Sequence, residues 1–391
     1  MCYLDEGVTP ASVGCASVFK GDVLVELWML ILDKLTMTLR AKAMNKPMVH
    51  KEGSRWTTSS IFVIMAISFA MPYANAAFSV TQSIALAPGW NAVYVEVDPA
   101  NPSPESVFSG LPVDAVATYD AAHTGAQFVK DPGVDMSLAH GWAVWYAPLR
   151  PDAFLSNLYE IQGGKPYLIH ATTNATLSLS GEIAPTLLKW RPDSFNFVGF
   201  TVQNPGAPTF AQFFGASPAH NHNRIYRLAD GKWRQVLKPE TEAMRAGEAF
   251  WIYCSGRSDY TGPLEVTAAS PFGFFISERV GSELVFRNKT AHPVTFHIEH
   301  KGDPQFPVPM SVDIDVLDEA AGGMRKLTYN FPAGNWEQSL PTLEAGGAIR
   351  LPIKLRAQEM PQGTRNSIIT VLSDLGTKTI VPVQATNGDN Q

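Results

Sequence analysis

The chain has 391 residues, 45% of them hydrophobic and 17% charged, and its formal net charge is −6 at pH 7. At roughly 150 residues per domain this length suggests two or three domains, and the apolar content argues against an intrinsically disordered chain. The 30 glycines and 29 prolines indicate many short elements rather than coiled coils or long bundles, and the negative charge makes nucleic acid an unexpected partner.

An export signal is the first element that the sequence predicts. Residues 61–71 are an apolar run that is too short to span a bilayer but suits the hydrophobic region of a signal peptide. Lys46, Lys51 and Arg55 precede this run, and the small residues 74–76 follow it as a cleavage site. We therefore expect cleavage after residue 76 and export to the periplasm, the cell surface or the medium.

The boundaries of this leader leave one alternative open. Residues 44–76 form the predicted signal peptide, and residues 1–43 read as an extended gene start, although Val23–Leu32 is apolar enough for an interfacial helix. The chain is then expected to meet a membrane only through the cleaved segment. After cleavage Cys254 is the one remaining cysteine, so no intramolecular disulfide is possible, and its strand-like context predicts a buried, inert thiol.

An internal duplication organises the middle of the chain. Residues 90–93 (Trp-Asn-Ala-Val) return as residues 195–198 (Phe-Asn-Phe-Val), and residues 161–169 correspond to residues 244–252. The spacing shortens between these two matches, which indicates an insertion in the first copy, between residues 131 and 158. Self-similarity of this kind is typical of a supersecondary unit that is used twice.

Each copy, residues 77–186 and residues 187–269, reads as the same β-rich unit with one short helix. A strand begins at the aromatic-Asn pair, a helical segment ends near Phe108 or Phe213, and a dense aromatic strand follows a glycine turn. In the second copy Asp230-Gly231 predicts a two-residue hairpin loop.

The aromatic-Asn pair has two interpretations. Asn91 and Asn196 could contact a ligand, but an Asn at the start of a strand more often caps a turn by bonding to its own backbone. In the first copy Gly89-Trp90-Asn91 follows Leu86-Ala87-Pro88 and resembles the "GWN" modules of exported bacterial multidomain proteins. That resemblance implies an extracytoplasmic β module and no particular activity.

The insertion in the first copy supplies the candidate ligand-binding residues. Trp142, Trp145 and Tyr146 are large aromatics without a counterpart in the second copy, and exposed rings of this kind stack on sugars or anchor a protein partner. The alternative is an additional edge strand that buries its own core, because the segment alternates as a strand does.

The pattern changes over residues 270–386 to that of an antiparallel β-sandwich. Residues 294–299 and 349–356 alternate apolar and polar side chains, as half-buried strands do. The strands at residues 284–288, 293–296 and 381–385 are similar to those of the immunoglobulin-like domains that close many bacterial surface proteins, which implies a fold and no function. Residues 387–391 read as a polar tail.

Two clusters are candidates for metal binding, and both have plainer interpretations. His297 and Glu299 share one face of a predicted strand, but His300 points away, so the three ligands of a zinc site do not converge. Asp313 and Asp315 match a calcium loop only in part, because their neighbours alternate as in a strand. No metal or other cofactor is expected.

A third histidine cluster, His220-Asn221-His222, falls in an apparent loop between a helix and a strand. Two imidazoles at this spacing could chelate a metal weakly, but the composition favours a solvated polar loop.

The predicted function is that of an exported, non-catalytic binding or structural module with a mainly β fold. The sequence has no nucleophile elbow, zinc-protease helix, P-loop or dinucleotide fingerprint. The expected partner is a protein or a glycan at the cell envelope, and no pattern encodes the oligomeric state. Two alternatives remain, a carbohydrate-binding protein that uses the inserted aromatics and a secreted hydrolase whose site is assembled from distant strands.

Overall fold

The computed structural model describes residues 78–120, 141–185, 188–220, 224–318 and 323–388. The predicted signal peptide at 44–76 and the residues before it lie outside the described residues, as do residues 131–140 of the predicted insertion. The described residues form a mainly β structure, as the sequence predicts. None of its helices has the length and apolar character that crossing a membrane requires.

The strands of the first half, in chain order, are β1 Val80–Leu86, β2 Gly89–Val95, β3 Val97–Pro99, β4 Val113–Tyr119, β5 Trp142–Tyr146, β6 Lys165–Ala171, β7 Ala175–Ile183, β8 Ser194–Gly199, β9 Ile225–Ala229, β10 Lys232–Gln235 and β11 Ala249–Cys254. Those of the second half are β12 Leu264–Ala268, β13 Phe274–Ser277, β14 Ser282–Asn288, β15 Phe296–Gly302, β16 Met310–Asp318, β17 Gly323–Asn330, β18 Trp336–Ser339, β19 Ala348–Leu355, β20 Gly363–Ser373 and β21 Lys378–Asn387. Two short helices, α1 Pro104–Val107 and α2 Phe210–Phe214, and two 3-10 turns, Ala153–Leu155 and Ala357–Glu359, complete the described elements.

The two predicted repeats contain four-stranded antiparallel sheets with the same strand order. The first sheet runs β2-β6-β4-β5 and the second runs β8-β11-β9-β10, and in each case the short helix precedes the third strand of that order. A further sheet, β1-β7-β3, belongs to the first copy alone. The shared order agrees with the duplication read from the sequence, whose common origin stays a prediction.

The extra chain of the first copy lies before β5 and not within it. β4 and β5 are joined by residues 120–141, whereas β9 and β10 are joined by Asp230-Gly231 alone, both with positive φ as a type I′ turn requires. β5 pairs with β4 as β10 pairs with β9. Trp142–Tyr146 is therefore the counterpart of β10, which corrects its assignment to the insertion.

A layer of aromatic side chains fills the space between the two four-stranded sheets. Tyr94 and Trp142 from the first sheet meet Phe197 and Trp251 from the second. The sheets approach so closely that a Cβ at Gly199 would lie 2.2 Å from Cγ of Tyr94. Burial of these large rings provides much of the free energy that joins the two copies, at about 1.5–3 kcal/mol per fully buried apolar side chain.

The C-terminal part is a two-sheet β-sandwich around its own apolar core. One sheet runs β12-β14-β19-β16-β17 and the other runs β13-β21-β20-β15-β18, with β13 parallel to β21. The alternation read from the sequence is visible in β19, where Leu351, Ile353 and Leu355 are buried and the residues between them are exposed.

Two predicted boundaries differ from the observed pairing. β12 was predicted to close the second repeat, but it pairs with β14 and is the first strand of the sandwich. The predicted polar tail begins inside β21, where the Asn387 amide donates to the carbonyl oxygens of Ala357, at 2.8 Å, and of Met360. Both differences arise because strand partners are chosen by tertiary contacts and not by local composition.

Candidate binding groove between the second repeat and the sandwich

The three aromatic residues predicted to bind a ligand are all core side chains. Trp142, Trp145 and Tyr146 are 5%, 4% and 8% exposed. Trp142 packs in the layer between the sheets, while Trp145 stacks on Phe108 on the opposite face and donates its indole N–H to Glu105 at 2.8 Å. This burial favours the alternative, an edge strand that packs its own core, over rings open to a sugar or a partner.

Three of the candidate metal residues, His297, Glu299 and Asp313, lie close to charged side chains of neighbouring residues. His297 Nε2 is 3.8 Å from Glu299 Oε1 and 3.7 Å from a carboxylate oxygen of Glu337. Asp313 accepts from Lys354 Nζ at 2.6 Å, and this contact holds the pKa of the Asp313 carboxyl below its usual value. In the part of the chain that the structure describes, no three His, Cys, Asp or Glu side chains converge as metal ligands do.

Asp315 lies opposite Lys326 across the β16–β17 pair, on the sheet face that also carries Asp313. The two aspartates therefore project from a paired strand and not from a loop that could wrap a calcium ion.

His220 is buried, which corrects the prediction of a solvated loop. It is 2% exposed, its Nδ1 lies 2.6 Å from Ser217 Oγ, and its ring centroid lies 4.0 Å from that of Trp190. Burial lowers the pKa of His220 to about 4, so the ring is neutral at physiological pH. His222 lies outside the described residues.

Two other residues behave as the sequence predicts. Cys254 is fully buried, and burial raises the pKa of its thiol. Asn91 Oδ1 accepts from Ala87 N–H at 2.9 Å, and Asn196 Oδ1 accepts from Arg191 N–H at 2.8 Å. Each Asn therefore caps the turn before its strand, and the interpretation as a backbone cap is confirmed.

The pair that most resembles acid/base machinery is His170 and Asp114. His170 Nδ1 lies 2.5 Å from Asp114 Oδ1, and Arg150 also reaches Asp114 at 3.2 Å. Arg150 also donates to both carboxylate oxygens of Asp152, at 2.8 and 2.7 Å, so His170 and Asp114 belong to a network of charged and polar side chains.

A groove of about 350 Å³, here called the junction groove, lies between the second repeat and the sandwich. Its lining includes Phe200 and Phe213 from the second repeat, Leu264–Ala268 of β12, and the residues from Thr377 to Pro382 at the start of β21. Two phenylalanine rings and the residues of two strands therefore line this groove, an arrangement that suits an elongated ligand with apolar side chains.

A hydrogen-bonded clamp formed by Gln203 joins the second repeat to the sandwich beside Thr377, a residue of the groove lining. Gln203 Nε2 donates to the carbonyl oxygens of Ser373 at 2.7 Å and Thr377 at 3.1 Å, and Gln203 N–H donates to Gly376 O at 2.9 Å. A Cβ at Gly376 would lie 2.0 Å from Gly206 O, so only glycine permits this approach. The groove walls are thus positioned by the fold before any ligand arrives.

One wall of the junction groove is an open strand edge. Among the described residues, β12 lies at the edge of its sheet and pairs with β14 alone. Lys289 N–H donates to Pro263 O at 2.9 Å. Because hydrogen-bonded and non-bonded pairs alternate along an antiparallel ladder, Leu264, Val266 and Ala268 direct their backbone N–H and C=O groups away from β14.

The opposite wall is the first half of β21. β13 covers this strand only from Val383 to Thr386, so Lys378–Pro382 has β20 on one side and the groove on the other. Lys378 brings a positive charge to this wall. Burial raises the pKa of the nearby Glu96 carboxyl, and the charge of Lys378 offsets part of that rise. On the β12 wall Glu265 is already paired with Lys289 at 3.3 Å.

The sequence contained a signal for β12 but none for its role. Leu264–Ala268 alternates and is followed by Ser270-Pro271, which predicts a strand and its end. That this strand borders a groove depends on its place at the edge of a sheet, which local alternation does not encode.

Comparison with known proteins returns only distant structural likenesses. No family model and no curated protein matches the chain. A PapD-like domain of human CEP192 is 15% identical, with 33% of this chain and 87% of that chain covered and a TM-score of 0.20. The Salmonella enterica SafA pilin in complex with the SafB chaperone is 14% identical, with 32% of this chain and 55% of that chain covered and a TM-score of 0.20.

The Vibrio cholerae VesB protease is 11% identical, covering 78% of this chain and 99% of that chain, with a TM-score of 0.19. At this level of similarity the comparisons assign the chain neither a family nor a function.

Proposed function

We propose that this chain is an exported, non-catalytic binding module that takes an extended segment of a protein partner into the junction groove. The observation that carries the proposal is the open edge of β12 along an apolar groove of about 350 Å³. An edge strand presents a row of backbone donors and acceptors to any strand that lies beside it. Export is supported by the leader sequence at residues 44–76.

The geometry specifies the chemistry of the bound segment. Backbone groups of Leu264, Val266 and Ala268 would provide the hydrogen bonds, so affinity would come largely from main-chain pairing. Phe200 and Phe213 line the groove, and side chains alternate along a strand, so every second side chain of the ligand should be apolar. The side chains between them would face solvent and carry little specificity.

The test uses the chain recovered from the exported fraction, whose N-terminus is expected at Ala77, and a phage-displayed library of random peptides as the probe. We expect selected peptides to alternate apolar and polar residues and to protect the backbone amides of Val266 and Ala268 from hydrogen exchange. Strand addition would protect both of these outward amides, because each would donate a hydrogen bond to the backbone of the added strand.

Val266→Pro is the decisive variant. Proline removes an N–H that points into the groove and leaves the β12–β14 ladder intact, so binding should weaken at least about tenfold, or ~1.4 kcal/mol, while the fold persists. Glu337→Pro is the matched control, because Glu337 occupies an equivalent outward position on the edge strand β18.

Three results would contradict the proposal. These are selected peptides that bind Val266→Pro as tightly as the original chain, selected peptides that protect other amides, and saturable turnover of a glycan, ester or peptide by the purified chain.

A further inference from the structure

The hairpin of β16 and β17 extends beyond the sandwich and leaves an apolar face uncovered. β16 pairs with β17 from Ser311 to Asp318 but with β19 only from Met310 to Val312. Beyond Val312, no described strand pairs with β16 on the side opposite β17. β17 is consequently a long edge strand with one free side.

The uncovered face of the hairpin continues the face whose side chains, up to Val312, pack in the sandwich core. Val312 is 3% exposed and points into the core, and Ile314, two residues later on the same face, is 47% exposed. Leu327 lies opposite Ile314 and is 48% exposed, and Tyr329 lies opposite Val312 and is 44% exposed. Apolar side chains exposed together in this way indicate a surface that is covered by another molecule.

The hydrogen-bond pattern of the hairpin shows which backbone groups of β17 do not bond to β16. Phe331 N–H donates to Met310 O at 3.0 Å, so the bonded pairs of this ladder continue at every second residue, including Leu327 with Ile314. Met324, Lys326, Thr328 and Asn330 therefore direct their backbone N–H and C=O groups toward the free side.

We propose that β17 pairs with β17 of a second copy of this chain, antiparallel and about a two-fold axis at Leu327. In this register Lys326 lies opposite Thr328 of the second copy, and Met324 lies opposite Asn330. These four outward residues are the ones whose backbone groups are free, so all of them form ladder hydrogen bonds at once. The Leu327 pair on the axis is a non-bonded pair, as its inward backbone groups require.

Side-chain chemistry favours a second copy over a foreign strand. The apolar row becomes Ile314-Leu327-Leu327-Ile314 across the axis, which covers four half-exposed aliphatic side chains. On the other face the row reads Asp315-Lys326-Thr328-Asp313, with each lysine between polar or acidic neighbours and no like charges directly opposite. The edge is thus complementary to itself.

The same arrangement limits the assembly to two chains. A two-fold contact uses one surface on both partners and leaves no free copy of that surface, so pairing closes at the dimer.

The first test measures the oligomeric state of the full chain by sedimentation velocity over a range of concentrations. We expect a reversible dimer, and Lys326→Pro should raise the dimer dissociation constant at least tenfold, because it removes an N–H on the free side of β17. Glu337→Pro, at an outward position of β18, is the matched control and should leave dimerisation unchanged. A chain that stays monomeric at all concentrations, or a dimer unaffected by Lys326→Pro, would overturn the proposal.

The second test reads the register by disulfide trapping and does not depend on the proline variants. Leu327→Cys should form a disulfide-linked dimer under mild oxidation, because the two Cα atoms of an antiparallel non-bonded pair lie about 4.5 Å apart. Arg325→Cys is the matched control on the same face, with its two sulfurs offset by four residues, or about 13 Å. Equal trapping of both variants, or trapping of Arg325→Cys alone, would contradict the register.

Discussion

Two buried histidines couple the stability of this fold to pH. His220 packs against Trp190, and His300 stacks on Trp336 while its Nδ1 contacts Gly334 O at 2.8 Å. Burial lowers the pKa of each ring to about 4. Both rings are therefore neutral in the folded chain at pH values where an unfolded chain begins to protonate them.

The free energy of unfolding should consequently fall as the pH drops. The unfolded histidines have pKa values near 6.5, so between about pH 6.5 and pH 4 the unfolded state binds more protons than the folded state. Each ring contributes on the order of 3 kcal/mol to this difference, present in full above about pH 6.5 and lost as the pH falls toward 4.

Urea unfolding at pH 7, 6 and 5 checks this prediction. The slope of unfolding free energy against pH should be smaller in His220→Phe and in His300→Phe, and smaller still in the double variant. This expectation concerns the slope and does not depend on the urea midpoint of each variant at any one pH. A slope that the double variant leaves unchanged would show that other groups cause it.

At the scale of the element, the exposed edges of the two four-stranded sheets are protected in different ways. Residues 156–158 fold back over β5, where Val144 N–H donates to Asn157 Oδ1 at 2.6 Å and Asn157 N–H donates to Val144 O at 2.8 Å. The counterpart strand β10 carries Lys232 and Arg234 instead. Coverage and charge are both established means of blocking an edge, and no described segment covers β12 or β17 in this way.

Asn157→Ala should open the edge of β5 without unfolding the sheet. The variant leaves Val144 N–H without its acceptor, so we expect a loss of about 1–2 kcal/mol and faster hydrogen exchange at the Val144 amide. Asn101→Ala is the matched control, because Asn101 accepts one backbone N–H in an exposed turn. Equal effects of the two substitutions would argue against a specific role for the Asn157 contact.

At the scale of the whole molecule, the repeats and the sandwich are joined by specific contacts rather than by a flexible linker. Ile368 from the sandwich is buried in the core of the first copy, and the Gln203 clamp ties the second copy to Ser373 and Thr377. The described residues after Tyr73 belong to one compact unit. We therefore expect one cooperative unfolding transition for the repeats and the sandwich.

Gln203→Ala should weaken that cooperativity. It removes two hydrogen bonds between the second repeat and the sandwich, so we expect a loss of about 1–3 kcal/mol and separate exchange behaviour of peptides from the two parts. Gln338→Ala, which removes a bond to the neighbouring Ser339 carbonyl on an exposed edge, is the control. Coincident unfolding of both parts in Gln203→Ala would show that the remaining contacts, which include apolar packing and the backbone bond from Gln203 N–H to Gly376 O, are enough to couple them.

Local pattern predicted the strands well and their partners less well. The alternation of residues 349–356 and the Asp230-Gly231 hairpin both correspond to observed elements, because alternation and turn chemistry act over a few neighbouring residues. β12 was placed in the wrong unit, because its pairing with β14 depends on residues that lie far along the chain.

The candidate site shows the same division. Trp142, Trp145 and Tyr146 were chosen for their ring chemistry, yet they are buried, because β5 lies between two packed layers. The side chains that are exposed beside them, such as Phe154 at 82% and Tyr159 at 75%, follow β5 in the chain and carry no motif. Exposure depends on how the whole chain packs, and a loop has no apolar periodicity from which the exposure of its side chains could be predicted.

The sequence by itself determined the mainly β class, the positions of most strands and turns, the caps formed by Asn91 and Asn196, and the buried thiol of Cys254, since each depends on local backbone preferences and apolar periodicity. Only the tertiary structure decided which strand edges stay open at β12 and β17, where the junction groove lies, and that His220 is inside. These features depend on which distant segments pack together, and the packing free energy that selects them is a sum over the whole molecule rather than over neighbours in sequence.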